Sequence, residues 1–287
     1  MNYVLISIGN VPDYLNYTIN SILSVDKNAK IIIGSDQKIQ NKNIELVDLK
    51  DIESAQTRKI KDLNIFRGTI FEGNPLWNTS LMRIFYLRDL QKNLRLTEVV
   101  HFDNDILIYK PFDKVRSCMK NNRFNITPSN SRRLIFGYST IYNISVFNKL
   151  CDLLESKLIK GTSSNWDFNN NTPPNEMDLL GMIYKDNSQL FNLLPNLPYQ
   201  SDIIFDHLGY GMYIDGSHTY PRKFYSRRSV NFNDTVGVEL YSKRIKVKFQ
   251  NNEPVVIWNK KKYVLTNLHI HSKRFTRFLP SNYTTYT

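Results

Sequence analysis

The first half of the chain alternates apolar runs with amphipathic stretches. Residues 3–8 form a continuous apolar run that ends at Gly9, which is the pattern of a strand buried on both faces. An amphipathic stretch follows from Pro12, and a proline suits the start of a helix. Apolar runs at residues 30–34 and 44–49 predict two more strands. Strands and a helix joined by short connections indicate a parallel sheet of α/β type.

A second alternation surrounds a short acidic turn. The spacing of apolar residues in 77–92 predicts the clearest helix of the chain, and residues 99–102 then form an apolar strand. Asp103 and Asp105 follow this strand directly, and residues 106–109 resume the apolar pattern. The sequence therefore predicts a strand, an acidic turn and a strand in succession.

The second half of the chain has a different character. Residues 135–147 are aromatic and favour a strand, residues 161–174 are polar and typical of a loop, and residues 175–185 suit a helix. Short strands, including residues 245–249 and 255–258, alternate with basic turns towards the end. We find no internal repeat in the sequence.

Composition and charge restrict the classes of protein to consider. Of the 287 residues, 41% are hydrophobic and 13% aromatic, which predicts a packed globular protein and not a disordered chain. The formal net charge of +12 favours an anionic partner: nucleic acid, an acidic membrane surface or a phosphorylated small ligand. Two isolated cysteines are too few for a disulfide framework or a zinc site. The N-terminus reads as a strand and no apolar stretch reaches about 18 residues, so we expect a cytoplasmic protein without a transmembrane segment.

The acidic turn is the strongest candidate for a functional site. Asp103 and Asp105 stand two residues apart at the end of an apolar strand, so an extended backbone directs both carboxylates to one side. Carboxylates at this spacing suit Mg²⁺ or Mn²⁺, which keep water and phosphate oxygens in their other positions. Ligands of open α/β sheets bind beyond the carboxyl ends of the strands, where this turn is expected. A metal held there would act as a Lewis acid on a departing diphosphate.

The acidic turn and the end of the chain both resemble known enzymes. Asp103-Asn104-Asp105 in its apolar frame resembles the DxD element of GT-A glycosyltransferases, whose carboxylates hold a metal and touch the donor nucleotide. The string His-Ile-His-Ser-Lys at residues 269–273 is similar to the ending of a group of virus-encoded (chlorovirus-type) and bacterial glycosyltransferases. Residues 204–216 also resemble a segment of this group. The sequence contains no P-loop motif, so a P-loop NTPase is unsupported.

The resemblance implies a fold and a set of partners. The fold would be GT-A (Rossmann-like), with a central mixed, mostly parallel sheet flanked by helices. Residues 1–120 would form a nucleotide-sugar-binding half that ends in the acidic turn, and residues 121–287 an acceptor-binding half fused to it in one domain. The donor would be a nucleotide sugar, with UDP-glucose or another UDP-hexose as first choice, and the acceptor a glycan or glycoprotein; no nucleic acid is expected. A viral source would place the protein in the host cytoplasm.

The resemblance also implies a metal site. Asp103, Asp105 and His271 would hold Mn²⁺ or Mg²⁺, and Lys273 would meet the diphosphate. His269 shares a face with His271 on an extended segment, so either imidazole is a candidate ligand.

The ends of the first two strands are candidates for donor binding. In GT-A enzymes the end of the first strand holds the nucleoside, which implies this role for Ser7, Ile8, Gly9 and Asn10. Gly9 would let the base approach the backbone closely, although a plain turn explains it equally well. Asp36, at the end of the second strand, offers a hydrogen-bond acceptor for base or ribose. Arg83, on the helix before the acidic turn, is a candidate for the donor sugar or phosphate, with a surface role as the alternative.

Three acidic residues are candidates for the chemistry itself. Glycosyl transfer passes through an oxocarbenium-like state, and an inverting enzyme needs a carboxylate base for the acceptor proton. Glu176 and Asp178, at the start of the helix after the polar loop, are candidates for this base or for acceptor binding, and Asp206 is a weaker one. Acidic residues also favour the first turn of a helix for electrostatic reasons, so a structural role is the alternative.

Two other classes of function compete with glycosyl transfer. A basic nucleic-acid-binding protein would account for the Lys and Arg pairs between aromatic residues, but not for an acidic turn in an apolar frame. A metal-dependent nuclease using Asp103 and Asp105 normally needs further carboxylates for a second metal. Glycosyl transfer accounts for more of the chain than either.

Overall fold

The computed structural model describes residues 1–163, 173–218 and 234–286. The strands are β1 (Asn2–Ser7), β2 (Lys30–Ser35), β3 (Glu45–Asp48), β4 (Val99–Phe102), β5 (Ile106–Ile108), β6 (Phe124–Pro128), β7 (Leu134–Ile141), β8 (Phe191–Leu193), β9 (Lys246–Gln250), β10 (Glu253–Trp258), β11 (Lys261–Val264) and β12 (Asn267–His269). The helices are α1 (Leu15–Val25), α2 (Leu49–Ile52), α3 (Ala55–Asp62), α4 (Pro75–Asn93), α5 (Ile144–Ser163), α6 (Glu176–Asp186), α7 (Gly209–Asp215) and α8 (Thr235–Tyr241). None of the helices in these ranges has the length and apolar content of a membrane span.

Local sequence signals set the starts of the two helices that matter most for the site. At α4, the side chain of Asn74 accepts a hydrogen bond from the backbone N–H of Leu76, and Pro75 is the first helical residue. At α6, Asn175 and Asp178 form a capping box, in which each side chain accepts from the backbone N–H of the other. The sequence predicted both helices, the first from the spacing of apolar residues in 77–92, and both predictions are confirmed.

The central sheet has seven strands in the order β3-β2-β1-β4-β7-β6-β8. The first four are mutually parallel, β8 is parallel to β6, and β7 is antiparallel to both β4 and β6. The predicted central sheet, mixed and mostly parallel, is therefore confirmed. Because β6, β7 and β8 lie beyond residue 120, both predicted halves of the chain contribute to one sheet. The roles assigned to the two halves stay predictions.

The prediction of strand structure throughout 135–147 is wrong in its second part. β7 ends at residue 141, and α5 begins soon afterwards. The side chain of Asn143 accepts a hydrogen bond from the backbone N–H of Ser145 at 2.8 Å, as a helix N-cap does. Phe147 is therefore buried in the core from a helix and not from a strand. Of the predicted loop at 161–174, α5 covers the first three residues, and most of the rest lies outside the described ranges.

Apolar cores cover both faces of the central sheet. In β1, Val4 and Ile6 pack with residues of α4, α5 and α6, whereas Tyr3 and Leu5 pack with α1. Successive side chains of a strand point to opposite faces, so a strand covered on both sides must be apolar at every position. This explains the continuous apolar run at the start of the chain.

A third core joins the C-terminal part of the chain to the segment after the acidic turn. β12 pairs with β5 in antiparallel register, and β9, β10 and β11 form a separate antiparallel meander. The two hairpins of the meander turn at Asn251-Asn252 and Asn259-Lys260, and all four residues have positive φ, as turns of this length require. The inner face of the meander packs against α7 and α8. The last quarter of the chain is thereby held beside the carboxyl end of β4.

Candidate active site

A cleft of about 410 Å³ opens at the carboxyl ends of β1 and β4. Parallel sheets bind their ligands in this position. The residues of the cleft wall that the sequence analysis had singled out for binding or catalysis are Ser7, Ile8, Asn10, Arg83, Asp103, Asp105, Glu176, His269, His271 and Lys273. Four further candidates lie outside the wall, namely Gly9, Asp36, Asp178 and Asp206.

Hydrogen bonds to neighbouring elements fix the acidic turn. The backbone N–H of Asp103 donates to the carbonyl of Gly137 at 3.1 Å. The Asn104 side chain donates to the carbonyl of Ile6 at 3.1 Å, and the backbone carbonyl of Asn104 accepts from the hydroxyl of Thr18 at 2.7 Å. The turn is thus tied to β7, β1 and α1. Both carboxylates face the cleft, as the strand geometry predicted.

β12 brings His269 against the acidic turn. His269 pairs with Ile106 of β5, and the next residue, Ile270, donates its backbone N–H to the carbonyl of Asp105 at 2.8 Å. His269 Nε2 lies 2.8 Å from Asp105 Oδ1 and 3.8 Å from Asp103 Oδ2. Its Nδ1 lies 3.1 Å from a backbone carbonyl oxygen of residue 207, which can only accept, so Nδ1 carries a proton. Nε2 is therefore the nitrogen that faces the carboxylates. A shared proton or a bound cation would link Nε2 to the carboxylate oxygens.

The third candidate ligand is His271, whose ring stacks on that of His269 with centroids 3.9 Å apart. Its Nε2 is buried and has no hydrogen-bond partner among the described residues. One ligand atom each from Asp105, His269 and His271 lie within 4.8 Å of one another. A buried nitrogen without a partner beside a carboxylate and a second imidazole is the donor set of a divalent cation, so these residues fit the metal that the sequence implied.

The charges around Asp105 keep this carboxylate ionised. Burial by itself raises the pKa of Asp105, but His269 and Lys273 lower it more, so the pKa lies well below its ordinary value. The Lys273 ammonium bonds directly to Asp105 Oδ2 and also lies 4.9 Å above the ring of Tyr14. Lys273 reaches this position from a backbone with a φ of +60°. An ionised carboxylate is what a metal ligand requires.

Arg83 is the counterpart of Lys273 on the other side of the turn. Its guanidinium forms an ion pair with Asp103, and its Cζ lies 5.5 Å from the centre of the Phe136 ring. Burial lowers the pKa of Arg83, and Glu176 and Asp105 act against this. Its Nε is buried without a partner among the described residues. Arg83 therefore carries a buried N–H donor without a partner beside the cleft, which argues against a plain surface role.

The loop after β1 is shaped by Gly9 and Asp36. Gly9 has a φ of +79°, and no atom lies within 4 Å of the place where a Cβ would stand. Its backbone N–H donates to Asp36 Oδ1 at 2.9 Å, so Asp36 holds the loop. Ser7, Ile8 and Asn10 then line the cleft beside the bend.

Glu176 and Asp178 have different surroundings although they share the first turn of α6. Glu176 is buried in the cleft wall, and its Oε2 has no partner in the described part of the chain. Burial raises the pKa of Glu176, and the nearby Arg83 offsets part of the rise. Asp178 instead accepts from Arg133 Nε at 2.6 Å and closes the capping box with Asn175. Of the two, Glu176 is the carboxylate available to a ligand.

Asp206 is completely buried next to His269. Its Oδ1 accepts from the backbone N–H of Tyr210 at 3.0 Å. Its Oδ2 accepts from the backbone N–H groups of Gly211 and His269 at 3.1 and 3.0 Å. These bonds fasten the first turn of α7 to β12, so Asp206 acts on the position of His269.

Tyr14 and His218 also line the cleft, and sequence reasoning did not assign either of them to the site. Tyr14 immediately precedes α1, opposite the acidic turn. It belongs to the loop after β1, which was expected to meet the ligand, so the sequence could have indicated it. The backbone N–H of His218 donates to the carbonyl of His271 at 3.0 Å. No local signal marks His218, which lies two residues beyond the segment that resembles glycosyltransferases.

Gly211 offers a test of how strictly β12 must be positioned. A Cβ at this residue would overlap the backbone carbonyl of His269. We expect Gly211→Ala to lower the free energy of unfolding by about 3 kcal/mol and to weaken Mn²⁺ binding, because His269 must move. Urea denaturation and a Mn²⁺ titration measure the two effects.

The matched control for Gly211→Ala is Gly68→Ala. Gly68 has a φ of +73° but no atom within 4 Å of the Cβ position, so only backbone strain of about 1 kcal/mol is expected, without any change in Mn²⁺ binding. Equal losses of metal affinity in the two variants would contradict this account of β12.

Comparisons with known proteins give structural neighbours but no sequence family. No protein-family model matches the sequence, and a search of curated proteins finds no significant match. The galactosyltransferase LgtC in complex with donor and acceptor sugar analogues superposes with a TM-score of 0.50 at 11% identity, over 97% of this chain and 95% of that one. Mouse xyloside xylosyltransferase 1 superposes with a TM-score of 0.47 at 10% identity, over 68% of this chain and 86% of that one. The apo glycosyltransferase GlyE of Streptococcus pneumoniae gives 0.43 at 15% identity, over 68% of this chain and 45% of that one.

The superposition on LgtC extends over nearly the whole of both chains. At 11% identity, it is evidence that the two chains share a fold. The architecture agrees with it: a central, mostly parallel sheet of seven strands, flanked by helices, with a cleft at the carboxyl ends of its parallel strands. The chain has the GT-A fold that the sequence predicted.

Proposed function

We propose that this protein is a metal-dependent glycosyltransferase that moves a sugar from a nucleotide diphosphate donor to a glycan or protein-linked acceptor. The observation that carries the proposal is the convergence of Asp105, His269 and His271 within 4.8 Å, in a cleft at the carboxyl ends of β1 and β4. The GT-A fold supports it, because the neighbour LgtC was solved with donor and acceptor sugar analogues in place.

The metal would be held by Asp105, His269 and His271, with Asp103 beside them. Two imidazoles favour Mn²⁺ over Mg²⁺, which prefers oxygen ligands alone. When bound, the ion supplies Lewis-acid stabilisation to the leaving diphosphate. Two hydrogen bonds would keep the His269 imidazole oriented. The ring Nδ1 donates to a backbone carbonyl, and the backbone N–H of His269 donates to the carboxylate of Asp206.

Arg83 and Lys273 would meet the donor phosphates. Each forms an ion pair with one carboxylate of the acidic turn, so both cations lie next to the candidate metal ligands. An anionic donor offers both side chains new charge-assisted hydrogen bonds. Ser7, Ile8 and Asn10 would contact the nucleoside, on a loop held by Gly9 and Asp36. We take UDP-glucose or another UDP-hexose as the first donor to test.

Glu176 would act on the acceptor. Its buried carboxylate has an oxygen without a partner and lines the same cleft, so it is suited to take the acceptor proton or to hold the acceptor hydroxyl. Asp178 would position Glu176 through the capping box of α6, and Asp206 would position His269. A viral relationship and a cytoplasmic location stay predictions from the sequence.

Calorimetric titration with UDP, GDP and CDP, each with Mn²⁺ and with EDTA, tests the proposal. We expect one nucleotide to bind only when Mn²⁺ is present, because a cation must offset the repulsion between the diphosphate and the carboxylates of the acidic turn. Its affinity should fall only in the acid range, because the surroundings hold the pKa of Asp105 and that of His271 well below their ordinary values, and both groups must be deprotonated to bind the metal. If no nucleotide binds with or without metal, the proposal is wrong, and polynucleotide binding becomes the next function to test.

A further inference from the structure

A second depression, of about 500 Å³, lies on the surface outside the cleft. It is formed where the loop after β8, the region of α8 and the hairpin between β10 and β11 meet. Its wall consists of Tyr199, Glu239, Arg244, Trp258 and Asn259, none of which lines the cleft. Two aromatic rings, a carboxylate, a guanidinium and an amide thus surround one space.

The two aromatic rings are presented to solvent as a pair. Tyr199 is 49% exposed, and Trp258 is half-buried beside it. Their ring centroids are 6.0 Å apart with an interplanar angle of 61°. Large aromatic side chains gain free energy by leaving water, so a ligand that covers this pair gains from burying it.

Hydrogen bonds order the backbone that carries both rings. In the loop of Tyr199, the Gln200 side chain accepts from the backbone N–H groups of Asn196 and Leu197 at 3.0 and 3.1 Å. Trp258 ends β10 and pairs with Lys261 across the two-residue turn. A rigid aromatic pair loses little conformational entropy when a ligand binds, which favours binding by such a surface.

The polar groups around the rings offer both acceptors and donors. The Glu239 carboxylate is nine-tenths buried and lies 3.1 Å from Arg244 Nε. Burial and the neighbouring Glu239, which accepts a hydrogen bond from the Tyr199 hydroxyl, raise the pKa of this phenol. The exposed amide of Asn259 both donates and accepts.

We propose that this depression binds a neutral saccharide, with a pyranose ring against Tyr199 and Trp258 and its hydroxyls on Glu239, Arg244 and Asn259. A pyranose has an apolar C–H face and a polar rim, which matches rings bordered by donors and acceptors. Glu239 opposes an anionic ligand, and a purely apolar partner would cover the Asn259 amide without offering it a hydrogen bond. The inference goes beyond the transfer reaction, because it assigns a saccharide site separate from the cleft.

Fluorine NMR of the 5-fluorotryptophan-labelled protein tests this site. The chain has three tryptophans, at positions 77, 166 and 258, and Trp258→Phe identifies the signal of interest. Trp77 lines the cleft and reports separately on binding there. We expect lactose, cellobiose or chitobiose to shift the Trp258 signal with a dissociation constant on the order of 1 mM, and Tyr199→Ala to weaken this binding about tenfold.

The matched control is Leu46→Ala, which truncates a similarly exposed apolar side chain on β3 at the edge of the central sheet. It should leave the saccharide response of Trp258 unchanged. Calorimetry of the metal-dependent nucleotide in Tyr199→Ala should match the wild type, because Tyr199 does not line the cleft. A Trp258 signal that none of the three saccharides shifts would overturn the proposal, as would equal weakening by Tyr199→Ala and Leu46→Ala.

Discussion

Asp105→Asn is expected to lower the rate of sugar transfer about a thousandfold and to abolish metal-dependent nucleotide binding. Asp105 is the one carboxylate within 4.8 Å of both candidate imidazole ligands in the described part of the chain. Asparagine keeps the shape but offers a neutral oxygen in place of an anionic one. Loss of metal stabilisation of the leaving group costs several kcal/mol, which corresponds to a rate loss of this size. Transfer assays and calorimetry with the bound nucleotide measure both effects.

Asp113→Asn is the matched control for this substitution. The Asp113 side chain is 87% exposed and remote from the cleft wall, so the same chemical change there should leave transfer and binding unaltered. Thermal denaturation shows whether Asp105→Asn retains its fold. A folded Asp105→Asn protein with wild-type metal dependence would disprove the metal site.

Glu176→Gln is expected to lower kcat by about two to four orders of magnitude, the range for loss of a general acid or base. Nucleotide binding with Mn²⁺ should persist, since Glu176 is not one of the three candidate metal ligands. Because burial raises the pKa of Glu176, the acid limb of the wild-type pH–rate profile should lie above that of an ordinary glutamate. Activity then falls as the pH drops through this pKa, and the limb should disappear in the variant. Initial rates across pH, with donor and acceptor saturating, measure this.

Asp178→Asn distinguishes the two carboxylates of α6. Asp178 is bonded to Arg133 and closes the capping box. Its replacement should lower the free energy of unfolding by about 1 kcal/mol and reduce kcat only modestly. If Asp178→Asn instead eliminates turnover while Glu176→Gln remains active, the roles proposed for the two residues are reversed.

Most of the central sheet was predictable from the sequence, because its signals are local. A strand buried on both faces is a continuous apolar run, and the run at residues 3–8 was found as β1. The error at 135–147 has a physical cause as well. The β-branched and aromatic residues there have strand propensity, but Asn143 caps a helix whose apolar face packs in the core. Tertiary packing outweighs a propensity that is worth only tenths of a kcal/mol per residue.

The candidate site was predictable only in part. The acidic turn and the C-terminal string His-Ile-His-Ser-Lys were recognisable in the sequence. The sequence did not show whether His269 or His271 faces the carboxylates. The structure brings both imidazoles to Asp105, because β12 pairs with β5. The aromatic pair Tyr199 and Trp258 was invisible in the sequence, since its members are 59 residues apart and meet only in the folded chain.

The sequence by itself determined the alternation of strands and helices, the acidic turn at the end of β4 and the chemistry that its carboxylates favour. Only the tertiary structure decided which distant groups surround that turn: Arg83 and Glu176 from helices, and His269, His271 and Lys273 from the end of the chain. It also decided that Asp206 is fastened to backbone N–H groups while Glu176 faces the cleft. The reason is that propensity and polarity patterns act over a few neighbouring residues. Contacts between Asp105 and residues more than 160 positions away depend instead on burying the third core, to which the whole C-terminal part of the chain contributes.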